Sequence, residues 1–258
     1  LENKFDKSKY SSDYLIKSYK MNPIEFPNGI TYYGEWNDKF KMEGYGKLYL
    51  KEDKALAEGF WENGDLQFAR VFYVNGDIYE GEIKESKHHG KGKLITNDEI
   101  YDGEFIDGEK YGWGKITYAD KTIYEGGIEN GFFKGSGKIK WVNGIEYSGN
   151  FSKSTLCGEG ILSDRNGNKY EGSFNYNLFH GQGKYNFSNG NYYTGNFECG
   201  LKKGKGIYCF KDKYIYDGDW DNDKPNGFGK IKIDNSVLKC TWRNGKMAEK
   251  PVFESGDQ

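Results

Sequence analysis

Eight times along this chain a tyrosine is followed two residues later by glycine and, two residues after that, by Trp, Phe or Ile. The tyrosines are Tyr32, Tyr79, Tyr101, Tyr124, Tyr147, Tyr170, Tyr193 and Tyr216. From Tyr79 onward the successive spacings are 22, 23, 23, 23, 23 and 23 residues. A Gly-x-Gly follows each tyrosine, and from Tyr79 its first glycine always lies nine residues beyond the glycine of Tyr-x-Gly. So strict a recurrence restricts the chain to architectures built by stacking one small unit on itself.

Alternation with period two reads each unit as a pair of strands. In the first, Tyr79, Gly81 and Ile83 face one way, and Glu80 and Glu82 the other. In the second, Gly90, Gly92 and Leu94 share one face, with Lys91 and Lys93 opposite. One face therefore sets rings and aliphatics over bare glycine backbone. The other sets acids against lysines, as in Asp102 and Glu104 against Lys115; such pairs contribute roughly 0.2–1 kcal/mol each. Asn28-Gly29, Asn75-Gly76, Asn143-Gly144, Asn166-Gly167 and Asn189-Gly190 fall between units, where they predict tight hairpin turns at positive φ. The expected fold is all-β, an elongated, solenoid-like single-layer antiparallel meander. Its array spans 27–245, between a polar N-terminal arm or cap (1–26) and a C-terminal tail (246–258).

The gap between Tyr32 and Tyr79 holds a decayed copy over 57–78. Ala57, Gly59 and Trp61 take the first-strand positions, and Phe68 and Arg70 fall where the glycine pair belongs. A terminal half-copy runs through Leu238, Cys240 and Trp242.

Composition narrows the function. The chain carries 37 glycines and 39 Tyr or Phe residues but little aliphatic bulk, which suits a thin sheet better than a thick core. With 37 basic and 39 acidic residues, the balance argues against nucleic acid. Four irregularly spaced cysteines fit a reducing, cytoplasmic setting rather than a disulfide framework. The Gly-x-Gly-Lys strings do not match a phosphate loop, and they sit inside strands. Cys157 and His180 lie two strands apart, too far to share a metal. The three histidines stand in no recognisable nucleophile–base arrangement. No catalytic residue, metal or cofactor is expected.

Tyr-Glu-Gly-Glu at 79–82 with Gly-Lys-Gly-Lys-Leu at 90–94 resembles the MORN (membrane occupation and recognition nexus) repeat, and the resemblance covers about residues 27–245. It implies a non-catalytic scaffold in a cytoskeletal assembly, ciliary axoneme (radial spoke) or cell cortex. It also implies self-association, for which an open sheet edge supplies a route. Two surfaces are candidates. The first is the aromatic face, Tyr147, Phe151, Tyr170, Phe174, Tyr193 and Phe197 with Trp141 and Phe187 beside them, expected to be partly exposed and to hold a partner helix or extended peptide. The second is a lipid-headgroup reading of the clusters Lys134, Lys138, Lys140 and Lys202, Lys203, Lys205. That alternative makes the chain a phospholipid-binding targeting module, or the repeat region of a larger regulated enzyme.

Overall fold

The computed structural model describes residues 19–50 and 55–255, the side chains of 254 and 255 excepted. Among them there is no helix, and twenty-three strands follow one another from Tyr19–Lys20 to Val252–Ser255. They pack as two compact units divided between Gly131 and Phe132. In each unit successive strands pair antiparallel in an open meander. The all-β meander expected from the repeat is what the chain forms.

Each repeat is organised around its tyrosine. Tyr32, Tyr79, Tyr101, Tyr124, Tyr147, Tyr170 and Tyr193 are completely buried, although the sheet is thin. The ring lies down across its own strand and the next, over paired glycines such as Gly172 and Gly183. A Cβ at Gly183 would stand 2.4 Å from the Tyr170 hydroxyl, and one at Gly172 only 2.5 Å from the Gly183 Cα. Glycine is thus the only residue that lets the ring reach the backbone. The hydroxyl then donates to the carbonyl three residues on: Tyr170 to Ser173 at 2.8 Å, Tyr79 to Glu82 at 2.7 Å, Tyr193 to Asn196 at 2.9 Å.

That carbonyl is free because the ladder breaks there. Between Gly81 and Ile83 the register shifts: Gly81 faces Gly92, but Ile83 faces His88. The first glycine of Gly-x-Gly occupies this bulge in the left-handed region, at φ 54° for Gly90 and 60° for Gly181. It does not share the inner face as the alternation suggested. A Cβ on Gly90 would meet the Glu82 carboxylate, which caps the freed Lys91 amide at 3.0 Å. Left-handed backbone has swung it out of the strand's alternation.

The turns also differ from expectation. The Asn-Gly pairs between repeats have positive φ at glycine alone. At 73–77 the Gly76 amide donates to the Tyr73 carbonyl, and the Asn75 side chain accepts from the Asp77 amide, a type I turn closed by a glycine bulge. Two-residue turns with both residues left-handed lie inside repeats, among them Asn63-Gly64, Asn130-Gly131, Lys153-Ser154 and Tyr176-Asn177. Their second residue ties repeats together: the Asn177 amide donates to the Leu156 carbonyl, and its side chain accepts from the Leu156 amide.

At the ends, 1–18 lie outside the described residues. The rest of the N-terminal arm forms short strands, Tyr19–Lys20 and Ile24–Glu25, on the strand Ile30–Trp36. Part of the C-terminal tail, Lys246–Met247 and Val252–Ser255, pairs with Ser236–Arg243. The terminal half-copy places Trp242 edge-on to Tyr216 at 5.4 Å.

Candidate functional site

In a regular repeat three side chains enclose the tyrosine. Around Tyr170 these are Phe174, four residues on, edge-on at 5.1 Å; Phe197 of the next repeat, edge-on at 5.2 Å; and Phe179, flat on the ring at 3.9 Å. Phe179 acts as a lid, opposite Phe174 in the ladder. His88 does the same for Tyr79 at 3.6 Å. Lys110 lies over Tyr101, and Lys202 over Tyr193, each through its ammonium group.

This closure decides the fate of the sequence-predicted aromatic stripe. Tyr147, Phe151, Tyr170, Phe174, Tyr193 and Phe197 are at most 4 % exposed. They are core rather than an open groove, because each ring is roofed by a lid and wedged between its neighbours. Edge-on pairs of this kind add about 0.5–1.5 kcal/mol each beyond burial. Trp141 and Phe187, on the flanks, are half-buried.

The lysine clusters do not converge on one patch. Lys138 and Lys140 share Glu146, at 3.7 and 2.6 Å. Lys205 meets Asp219 at 2.6 Å, and Lys203 pairs with Glu198. Lys202 turns the other way, over the rings of Phe187, Tyr193, Tyr208 and Trp220, with Asp223 at 3.4 Å. Lys134 is exposed on its strand. Carboxylates thus answer Lys138, Lys140, Lys202, Lys203 and Lys205.

The enclosure opens at the decayed repeat. Strand Ala55–Glu62 pairs with Asp65–Phe72 so that Ala57 faces Val71, Gly59 faces Ala69 and Trp61 faces Leu66. Ala69, not Phe68 or Arg70, therefore takes the second-glycine position. The strand is one residue shorter between lid and centre than its regular counterpart, which shifts the assignment by one. Arg70 instead turns to the outer face and bonds Glu80 at 2.8 Å. Gly59 stays glycine because a Cβ there would press on the Phe68 carbonyl oxygen.

Alanine at 57 leaves this centre without a tyrosine of its own. A half-open cavity of about 730 Å³ lies there, its wall including Ala57, Trp61, Leu66, Val71, Ile83 and His88. Trp61 is the residue four on from Ala57, Leu66 is the lid, and Ile83 belongs to the next repeat. They are the counterparts of Phe174, Phe179 and Phe197 around Tyr170. His88 Nε2 lies 2.8 Å from the Tyr73 hydroxyl, and burial lowers its pKa to about 4, so the imidazole is neutral at neutral pH. The sequence located the decayed copy but not the cavity. The available signal was alanine at the tyrosine position.

A family model for the MORN repeat matches residues 79–98, 101–123, 124–146, 147–169, 170–192, 193–213 and 216–235, which together make up more than half of the chain. The copies at Tyr32 and Ala57 lie outside those matches. No curated protein matches the chain. Among solved structures, it is similar to the TCP domain of Drosophila melanogaster SAS-4 (dCPAP), in complex with a proline-rich motif of Ana2 (dSTIL). That likeness has 13 % identity, a TM-score of 0.40, and covers 68 % of this chain and 89 % of that one. It is also similar to the TCP10 domain of Danio rerio CPAP in complex with a peptide of Danio rerio STIL, at 9 % identity and a TM-score of 0.39, covering 92 % and 96 %.

Proposed function

Because the chain belongs to the MORN-repeat family, we propose that it is a non-catalytic adaptor that holds a protein partner in the inner-face cavity of its decayed repeat. The cavity itself carries this reading. At the regular centres lids and flanking side chains cover the tyrosine, whereas here an apolar cavity is half-open, with Val74 64 % exposed at its lip, and exposed apolar surface on a folded chain marks an interaction site. A volume of about 730 Å³ admits several side chains of a helix or extended segment. The setting proposed is cytoplasmic and cytoskeletal, in a ciliary axoneme or at the cell cortex, as family membership suggests.

The rival reading, anionic phospholipid bound by the lysine clusters, has less support. An ammonium already paired with a carboxylate brings little net attraction to a charged surface. The test compares Val74→Glu, at the cavity lip where Val74 is 64 % exposed, with Lys202→Glu/Lys203→Glu. Detergent-insoluble cytoskeleton and anionic liposomes serve as the two sedimenting phases. Cytoskeletal co-sedimentation lost with the first variant and kept with the second, at unchanged melting temperature, supports the adaptor. Liposome pelleting lost only with the charge reversals would support the lipid reading instead.

A further inference from the structure

We infer that the decayed repeat is a socket for an aromatic side chain carried on a basic segment of the partner. This rests on the adaptor reading and adds the chemistry of the bound segment.

The aromatic anchor follows from what the repeat lacks. A regular centre is a glycine floor, a lid and two flanking residues, all arranged around one phenol ring. Here lid and flanks remain around Ala57 as Leu66, and Trp61 with Ile83, while the tyrosine ring is absent. Trp61 already packs edge-on to Tyr32 at 5.2 Å, so it is held in place and does not swing in to fill the space. Ala69 is fully buried, so the deep part of the ring site is closed. An incoming ring therefore sits shallower than a resident tyrosine, with room beside it against Leu48 and Leu50 for a second apolar residue.

The basic flanks follow from charge. Of the described residues lining the cavity, Asp65 and Glu85 are the charged ones, and both are exposed at its rim. Neither carboxylate meets a cation among the described residues, in contrast to the outer face, where Glu58 meets Lys47 and Glu80 meets Arg70. His88, neutral, adds no opposing charge. Two like carboxylates at the mouth of an apolar cavity favour lysine or arginine on the entering segment and repel an acidic one.

The probes are fluorescein-labelled dodecapeptides with a central Phe-Leu pair. One is flanked on both sides by lysines, one by glutamates, and a third keeps the lysines but has Ala for Phe. Fluorescence anisotropy should show the first binding about tenfold or more tighter than either control. Asp65→Asn/Glu85→Gln, both at exposed positions, should bring the lysine and glutamate peptides within about twofold of each other. Ala57→Tyr/Ala69→Gly restores ring and floor together, and should weaken the lysine peptide about tenfold or more without lowering the melting temperature. Equal binding of the lysine and glutamate peptides, or of the Phe and Ala peptides, overturns the inference. If both Phe peptides bind alike and the refilled variant loses both, the adaptor reading stands and the basic flank falls. If the refilled variant keeps its cytoskeletal partner, both fall. Binding of a free fatty acid in place of any peptide would also overturn the inference.

Discussion

The repeat centred on Tyr170 and the copy centred on Ala57 share a strand plan but differ in what covers the backbone. In the first, the ring lies over Gly172 and Gly183, bonds the bulge carbonyl and is sealed by Phe179. In the second, alanine replaces tyrosine, and Ala69 then stands in the floor where glycine is otherwise required. The terminal half-copy repeats this: Leu238 holds the tyrosine position, and Cys240 lies opposite Gly229. Tyrosine and floor glycine thus depend on each other. The ring needs a floor without a Cβ, and once the ring is gone a Cβ is tolerated. The same loss that relaxes the floor opens the cavity.

The sharpest way to break this comparison is to change the side chain on each floor. Gly183→Val should destabilise by about 3 kcal/mol, because its Cβ would fall against a buried ring that has nowhere to move. Ala69→Gly removes a methyl that no ring requires to be absent, and should cost only about 1 kcal/mol. Urea unfolding with matched m-values measures both. Equal costs would show that ring and floor are not coupled.

The lids offer a second contrast, between His88 and Phe179. His88 has a folded pKa near 4 against 6.5 for a free imidazole. The unfolded chain therefore takes up the proton first as pH falls. Stability from the neutral lid is complete above about pH 6.5, declines as pH drops toward 4, and changes no further below that. Allowing for the ring's partial exposure, the loss is on the order of 1–2 kcal/mol. His88→Phe, which copies the Phe179 lid, should flatten the melting temperature against pH relative to the parent chain. An unchanged profile would mean that the imidazole is solvated and does not act as a lid.

A smaller effect should separate the ring from its hydroxyl. Tyr170→Phe keeps the ring and removes the donor to Ser173, leaving a bulge carbonyl short of a partner at about 1 kcal/mol. If the hydroxyl contributed nothing, the two proteins would unfold at the same urea concentration.

The strand plan, the two faces and the glycine floor were legible in the 23-residue spacing, because alternation and period are carried by residue type. The bulge was not, since left-handed backbone at Gly90 breaks the alternation used to read it. Nor was the lid. His88, Lys110, Leu156, Phe179, Lys202 and Pro225 occupy one structural position with five chemistries, because all that is needed there is something to cover a ring. At the candidate site, the loss of tyrosine at Ala57 could be read directly. The one-residue shortening that puts Ala69 under it could not, because Phe68 and Arg70 kept the expected count from Gly59. The aromatic stripe was misread as open because ring-on-ring closure depends on lids that the motif does not name.

The smallest prediction inverts the comparison. In its turn the decayed copy is built as well as any regular repeat, because Asn63-Gly64, like Asn130-Gly131, supplies the residues that tolerate two consecutive left-handed conformations, at φ 50° and 96°. Two regular repeats place Lys153-Ser154 and Tyr176-Asn177 in the same turn, at φ 47° and 60°, and 46° and 67°. Lysine has no local hydrogen bond to offset that conformation, whereas asparagine enters it readily. Ser154 must stay, since its hydroxyl accepts from the Phe133 amide. Lys153→Asn should therefore stabilise by about 0.5 kcal/mol. Gly64→Ser, which gives the decayed copy a regular turn residue at φ 96°, should cost about 1 kcal/mol. Opposite signs from two surface substitutions in equivalent turns would place the decay of this copy in its ring position rather than its hairpin. A loss from both, or no change from either, would show that contacts between repeats set the turn rather than its own backbone preference.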